Sequence, residues 1–107
     1  MFELSSIVIV LTTYPADGDA ESFARTLVDE RLAACVNLLP PMQSIYRWQG
    51  AVEQASERQL LIKTSLTRFK ALKKRLLALH PYEVPELVIV QAAGEKAYLK
   101  WVSDSVK

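Results

Sequence analysis

The sequence predicts an α+β sandwich in which helices pack on a β-sheet, and three features of the chain support this fold class. Two short runs rich in β-branched residues, Ile7–Leu11 and Leu87–Val90, have the composition of buried strands. Two longer stretches show the helical spacing of apolar residues. Between these stretches, the segment around Gln49-Gly50 has the alternation and the turn of a β-hairpin.

The first half of the chain begins with a strand and continues into a helix. Ile7–Leu11 is apolar throughout, which predicts a strand in the middle of a sheet covered by helices. Residues 14–19 form a turn, and either Asp17 or Asp19 can cap the following helix. We predict that helix over about 19–34. Its apolar face consists of Ala20, Phe23, Ala24, Leu27, Val28 and Leu32.

A long hairpin and a second helix come next. Pro40-Pro41 interrupts a strand, which places that segment at a sheet edge or a bulge. The hairpin is predicted over roughly 42–64, with its turn at Gln49-Gly50. Ser65 or Thr67 caps the second helix. The core stripe of that helix is Phe69, Leu72, Leu76 and Leu79.

The chain ends with a strand at Leu87–Val90 and a short helix that Gly94 opens. This element order is the ferredoxin-like split β-α-β arrangement, with residues 1–107 as a single domain. We expect the first and third strands to lie parallel in the middle of the sheet, and both helices to run the same way. The ends of the two helices would then bring Cys35 to the His80–Glu86 loop.

Composition excludes several classes of function. The net charge is +1 and no basic stripe is present, so we predict no nucleic-acid partner. Cys35 is the only cysteine, which excludes a disulfide within the chain and fits a reducing compartment. The first six residues lack the features of a signal peptide, and no apolar run is long enough for a membrane span. We therefore expect a cytoplasmic protein with no membrane partner.

The predicted hairpin is longer than the sheet of a domain of this size requires. Its far end carries Tyr46, Trp48 and Val52, which a single chain would have trouble covering. Exposed strand edges with aromatic residues pair with other chains, so we predict a homo-oligomer that these three residues help to join. The alternative is a hairpin that curls back over its own sheet.

The segment His80–Leu87 is the main candidate for a ligand site. Two prolines hold a histidine, a tyrosine and two glutamates in a set geometry after the second helix, as in a binding loop or a stiff connector. His80 is either a metal ligand or a helix cap. Cys35 is either a reactive group near His80 or a buried, inert side chain, and its place after a helix C-terminus favours the second.

Three more residues are candidates for ligand contacts. Tyr82 and Glu86 belong to the same loop, and Lys63 is the sole charge beside the apolar run Leu60–Ile62. Lys63 and Glu86 either form a structural ion pair or contact a ligand. With three glycines, the chain contains no P-loop or dinucleotide fingerprint, and no nucleophile elbow is present. We therefore expect no organic cofactor and no enzymatic activity.

The chain resembles the CutA divalent-cation tolerance proteins over nearly its whole length. The resemblance is carried by Leu27–Asn37, Ser44–Gly50, Leu61–Thr64, His80–Leu87 and Tyr98–Trp101. It implies a ferredoxin-like homotrimer joined through long hairpins, related in fold to the PII signalling proteins. It also implies a link to divalent-metal tolerance and copper binding, with no established reaction.

The resemblance carries Cys35 and His80 over as candidate metal ligands, and Glu83 is a third candidate from the same loop. The chain departs from the family at Thr12, where some copper-binding members have a cysteine. We predict a non-enzymatic homotrimer that binds Cu(II) or another divalent cation. The alternative is a PII-like regulatory module that binds a small metabolite between subunits and signals to a protein partner.

Overall fold

The computed structural model describes residues 4–107, which form an antiparallel five-stranded sheet and three helices. The mixed α+β class predicted from the sequence is confirmed. The expectation of no signal peptide rests partly on residues 1–3, which lie outside the described range. The elements are β1 (Ile7–Pro15), α1 (Ala20–Asp29), β2 (Cys35–Leu38), β3 (Met42–Trp48), β4 (Ala51–Ser65), α2 (Leu66–Leu79), β5 (Val88–Gln91) and α3 (Lys96–Ser105).

The sheet has the order β2-β4-β1-β5, and β3 pairs with the first half of β4. β1 and β4 lie side by side in the middle, as expected, but they run antiparallel, with Ile9 opposite Lys63. The expectation of parallel central strands was therefore wrong. A right-handed crossover makes β1 parallel to β2, and both pair antiparallel with β4, which lies between them.

The two helices consequently run in opposite directions. Phe23, near the start of α1, contacts the ring of His80, which follows the end of α2. At the other end, the Arg68 side chain donates to the carbonyl of Arg31. The expectation that both helices run the same way was wrong, because each helix follows a strand and the two strands are antiparallel.

The core lies between the sheet and these two helices. Alternate residues of β1 and β4 point to this face, and side chains from α1 and α2 close over them. The buried cluster includes Val8, Val10, Phe23, Leu27, Leu60, Ile62, Leu72 and Leu76. α3 contacts β4 and β1, and its Val102 is fully buried. Within residues 4–107 no helix is both long and apolar enough to span a membrane.

α1 is shorter than the sequence predicts. It begins after Asp19, whose carboxylate accepts from the backbone N–H of Ser22, and it ends at Asp29 rather than near 34. Arg31 adopts a left-handed φ of 58°, and the N–H groups of Leu32 and Ala33 both reach the carbonyl of Leu27. The apolar spacing continues through this turn, but the backbone no longer follows the helix.

β3 and residues 51–57 of β4 form an arm that extends from the sheet. Pro40-Pro41 separates β2 from β3, as predicted. The arm closes at Gln49-Gly50, where the φ values of 49° and 84° give a two-residue turn of type I′. Met42 pairs with Glu57 at the base of the arm, and Trp48 pairs with Ala51 at its tip.

Candidate functional site

His80 fixes the start of the loop that follows α2. Its imidazole Nε2 lies 2.6 Å from the carbonyl oxygen of Thr13, and its Nδ1 accepts from the backbone N–H of Tyr82 at 3.1 Å. A carbonyl only accepts, so Nε2 carries the proton and donates it. Both ring nitrogens are therefore engaged within the chain, and neither offers a free lone pair to a metal ion.

The surroundings of His80 keep the ring neutral. The residue is 8% exposed, and its ring packs against the aromatic rings of Tyr14, Phe23 and Tyr82 at centroid distances of 5.3, 5.9 and 4.8 Å. Burial lowers the pKa of His80 below its ordinary value, and the Thr13 carbonyl only partly opposes this effect. His80 thus joins the loop to β1 as a neutral, hydrogen-bonded side chain.

Glu57, at the base of the arm, is a buried carboxylate. It is 7% exposed, and its Oε2 accepts from the hydroxyl of Tyr82 at 2.7 Å. Burial raises the pKa of Glu57, but hydrogen bonds from Ser44, Tyr82 and Thr13 outweigh it and hold the pKa below its ordinary value. The pKa of Tyr82 is raised by burial and by the Glu57 carboxylate. Glu57 is therefore ionised and Tyr82 is protonated at neutral pH.

A cleft of about 470 Å³ opens between the arm and the loop after α2. We refer to it as the acidic cleft, because its lining includes three glutamates and no lysine, arginine or histidine. Three aromatic side chains share the wall with these carboxylates. The lining consists of Thr13, Tyr46, Trp48, Glu57, Pro81, Tyr82, Glu83, Val84 and Glu86. This volume is in the range of small-molecule sites in proteins.

The predicted ion pair between Lys63 and Glu86 does not form. Glu86 Oε2 instead accepts from the Gln59 side-chain amide at 2.8 Å, and the same amide donates to the carbonyl of Thr12. Lys63 lies four residues after Gln59 on β4, where its Nζ is 5.5 Å from the ring centre of Tyr98 on α3. Glu86 therefore belongs to the acidic cleft, whereas Lys63 does not.

Cys35 lies far from the cleft. It pairs with Lys63, which in turn pairs with Ile9, whereas His80 is bonded to Thr13. Ile9 and Thr13 are four residues apart on β1, or about 13 Å along a strand. The expectation that Cys35 and the loop share one end of the sheet was wrong, because the two helices are antiparallel. Cys35 is half-buried rather than fully buried.

A family model described as CutA1 divalent ion tolerance protein matches residues 8–105. The chain belongs to this family. A divalent-cation tolerance protein CutA from Thermus thermophilus is 49% identical over 98 residues, covering 91% of this chain and 95% of its own length. The resemblance to CutA proteins inferred from the sequence is thus confirmed.

Solved structures of the family share the fold. The crystal structure of CutA from Xylella fastidiosa has a TM-score of 0.91 at 45% identity and covers 96% of this chain and 100% of its own. A protein described as PII-like CutA, from Nostoc sp. PCC 7120 in apo form, has a TM-score of 0.87 at 38% identity, covering 94% and 97%.

The family relation to divalent cations calls for a test of whether this chain can hold a metal ion. Across residues 4–107, no group of three or more His, Cys, Asp or Glu side chains is close enough to do so. Glu57, Glu83 and Glu86 line the same cleft, but their carboxylates are not close enough together to bind one ion. The candidate ligands within one chain, His80, Cys35 and Glu83, therefore do not fit a metal centre by themselves.

Sequence reasoning named the loop residues of the cleft, and it named Tyr46 and Trp48 as interface residues. It missed Thr13 and Glu57 in the wall, and it missed Gln59, which holds Glu86. Glu57 and Gln59 lie in a polar run of β4 that has the composition of an exposed strand. The available signal was their spacing, because residues two apart on a strand point to the same face. Thr13 gave no comparable signal, although its side chain bonds Glu57 and its carbonyl holds His80.

Proposed function

We propose that this protein is a non-catalytic homotrimer of the cytoplasm whose acidic cleft binds a small ligand, and that this binding is its contribution to divalent-cation tolerance. The observation that carries the proposal is a cleft of about 470 Å³ with the ionised Glu57 in its wall. A pocket with convergent polar groups and perturbed pKa values is the usual character of a binding site.

Assembly through the arm is part of this proposal. Ile45, Tyr46, Trp48 and Val52 are between 40% and 71% exposed in the single chain, and all four lie on the arm. Such a concentration of apolar side chains on one projection favours burial against other copies of the chain. Tyr46 and Trp48 also line the acidic cleft, so a neighbouring subunit would lie at its edge.

A regulatory role accounts for a binding site without a reaction. The Nostoc relative is described as PII-like. By this analogy, occupancy of the cleft would alter the loop 81–86, which is held by single contacts to Glu57 and Gln59, and a protein partner would sense the change. The contacts that the loop makes with Glu57 and Gln59 are the physical support for this role.

Direct binding of copper or another divalent ion is the second candidate. The family relation to divalent cations favours it, and Glu83 and Glu86 offer oxygen ligands at the cleft. Binding by His80 would first have to displace the Thr13 carbonyl or the Tyr82 N–H. A metal site would therefore need groups from a second subunit.

A thermal-shift screen with a blocked cleft tests the main proposal. Val84 lines the cleft and is exposed, so Val84→Trp should fill it without disturbing the core. Leu77→Trp, on the exposed face of α2, is the matched control. We expect ligands that raise the Tm of the wild type to raise that of Leu77→Trp equally and that of Val84→Trp much less. Equal shifts in all three proteins would contradict a site in the cleft.

Calorimetric titration with Cu(II) tests the second candidate. The metal-free protein and His80→Ala are titrated in a buffer that competes for copper. Submicromolar binding with a fixed ratio per trimer, lost in the variant, would establish His80 as a ligand. We expect weak binding that the variant shares, because both ring nitrogens are already engaged.

A further inference from the structure

Among the residues that the structure describes, no cationic side chain pairs with Glu57. Its hydrogen-bond donors, Tyr82, Thr13 and Ser44, are all neutral. Among residues 4–107, the ion pairs join Arg75 to Glu30, and Lys100 and Lys107 to Asp104, and none reaches Glu57. The neutral donors hold Glu57 in its charged form, so a negative charge lies in the wall of the cleft with no described cationic side chain opposite it.

The wall beside Glu57 has the character of a site for cations. Glu83 and Glu86 add two carboxylates to the cleft, and its lining includes no lysine or arginine. The remaining side of the cleft presents the rings of Tyr46, Trp48 and Tyr82. Aromatic faces attract cations electrostatically, and ammonium groups with an apolar shell gain most from such walls.

Other ligand classes fit the cleft less well. An anion would meet three carboxylates without a cationic side chain. A bare divalent ion needs closely spaced oxygen or nitrogen ligands, which the described residues do not bring together. A neutral ligand would gain no electrostatic attraction from the Glu57 carboxylate.

We propose that the acidic cleft binds a small organic cation, either a quaternary ammonium group or a protonated amine, placed between the Glu57 carboxylate and the rings of Tyr46, Trp48 and Tyr82. The inference rests on the proposed function, which makes the cleft a ligand site, and adds the charge and the chemical class of its ligand. Glu83 and Glu86 supply further negative charge at the same cleft.

Choline and its neutral isostere 3,3-dimethylbutan-1-ol separate charge from shape. Both are titrated into the full-length protein in phosphate buffer, since amine buffers would compete. The fluorescence of Trp48 reports binding, and Trp101→Phe removes the second tryptophan from the signal. We expect choline to bind saturably and the isostere to bind at least about tenfold more weakly.

Three glutamate variants test which carboxylates contribute to choline binding. Glu57→Gln and Glu83→Gln should each weaken choline binding, the first by about tenfold or more because Glu57 is buried. Glu53→Gln is the matched control, since Glu53 is exposed on the arm and does not line the cleft. Thermal unfolding of each variant verifies its folding, and Glu83→Gln, on an exposed loop residue, keeps the test valid if Glu57→Gln is unstable.

The outcomes distinguish the two proposals. If the isostere binds as tightly as choline, or if acetate or Mg²⁺ binds and choline does not, the cleft remains a site and its preference for organic cations is refuted. If neither these probes nor the ligands of the thermal-shift screen bind in the cleft, both proposals fail. Loss of choline binding in Glu53→Gln would also overturn the assignment to the cleft.

Discussion

Replacing His80 with phenylalanine isolates the two hydrogen bonds that hold the loop to β1. A phenyl ring keeps the packing against Tyr14 and Phe23, but it leaves the Thr13 carbonyl and the Tyr82 N–H without partners. A buried polar group that loses its partner costs about 1–3 kcal/mol. Two such groups, one of them in a partly exposed loop, should lower the free energy of unfolding by roughly 2–4 kcal/mol.

The pH dependence gives this prediction a second readout. The pKa of His80 is lowered from 6.5 in the fold, so the unfolded chain binds more protons between the two pKa values. The contribution of His80 to stability is complete above pH 6.5 and is lost as the pH falls through the folded pKa. The phenylalanine variant has no titrating group at this position. The difference in stability between the wild type and the variant should therefore shrink as the pH falls below 6.5.

Unfolding in urea, followed by circular dichroism, measures both the loss of stability and its pH dependence. The protein concentration is kept fixed, because association would make stability depend on concentration. In a parallel thermal melt at pH 8 we expect the midpoint to fall by about 8–16 °C, at about 4 °C per kcal/mol. Tyr82→Phe is the control, since it keeps both bonds of His80 and removes only the hydroxyl that contacts Glu57. A variant as stable as the wild type at pH 8, or a difference that stays constant down to pH 5, would refute this account of His80.

Three further substitutions test the arm and the ends of α1. Trp48→Ala should dissociate the proposed homotrimer while leaving the far-ultraviolet spectrum unchanged, and an unaltered sedimentation coefficient would contradict the proposed place of Trp48 at an interface. Arg31→Gly should stabilise the chain by roughly 0.5–1 kcal/mol in urea unfolding, because only glycine adopts a φ of 58° without cost. Asp19→Ala should destabilise it by about 1 kcal/mol through loss of the cap to Ser22, and Asp17→Ala, beside it, should have little effect.

The helices, the strands and the arm could be predicted because their signals are local. Alternation of apolar residues, the two prolines at 40–41 and the Gln49-Gly50 turn each act within a few residues. The end of α1 could not be predicted in the same way. Its apolar spacing continues to Leu32 because that residue is buried, although the backbone has already left the helix at Arg31.

The strand side of the cleft depends on contacts between distant residues, which composition does not reveal. Glu57 becomes buried because Met42 and Pro15 flank it in the sheet and Tyr82 closes over it from the loop. In the sequence it is one polar residue among several. Lys63 shows the converse, since its charge suggested Glu86 as a partner, whereas α3 brings the ring of Tyr98 beneath it.

The relation between Cys35 and His80 follows from strand direction alone. In this order of elements each helix runs back along the strand that precedes it. Two helices that follow neighbouring antiparallel strands must therefore end at opposite ends of the sheet. Cys35 follows the first helix and His80 the second. No choice of side chains at these positions could therefore unite them in one chain, and a site containing both would need another subunit to supply one of them.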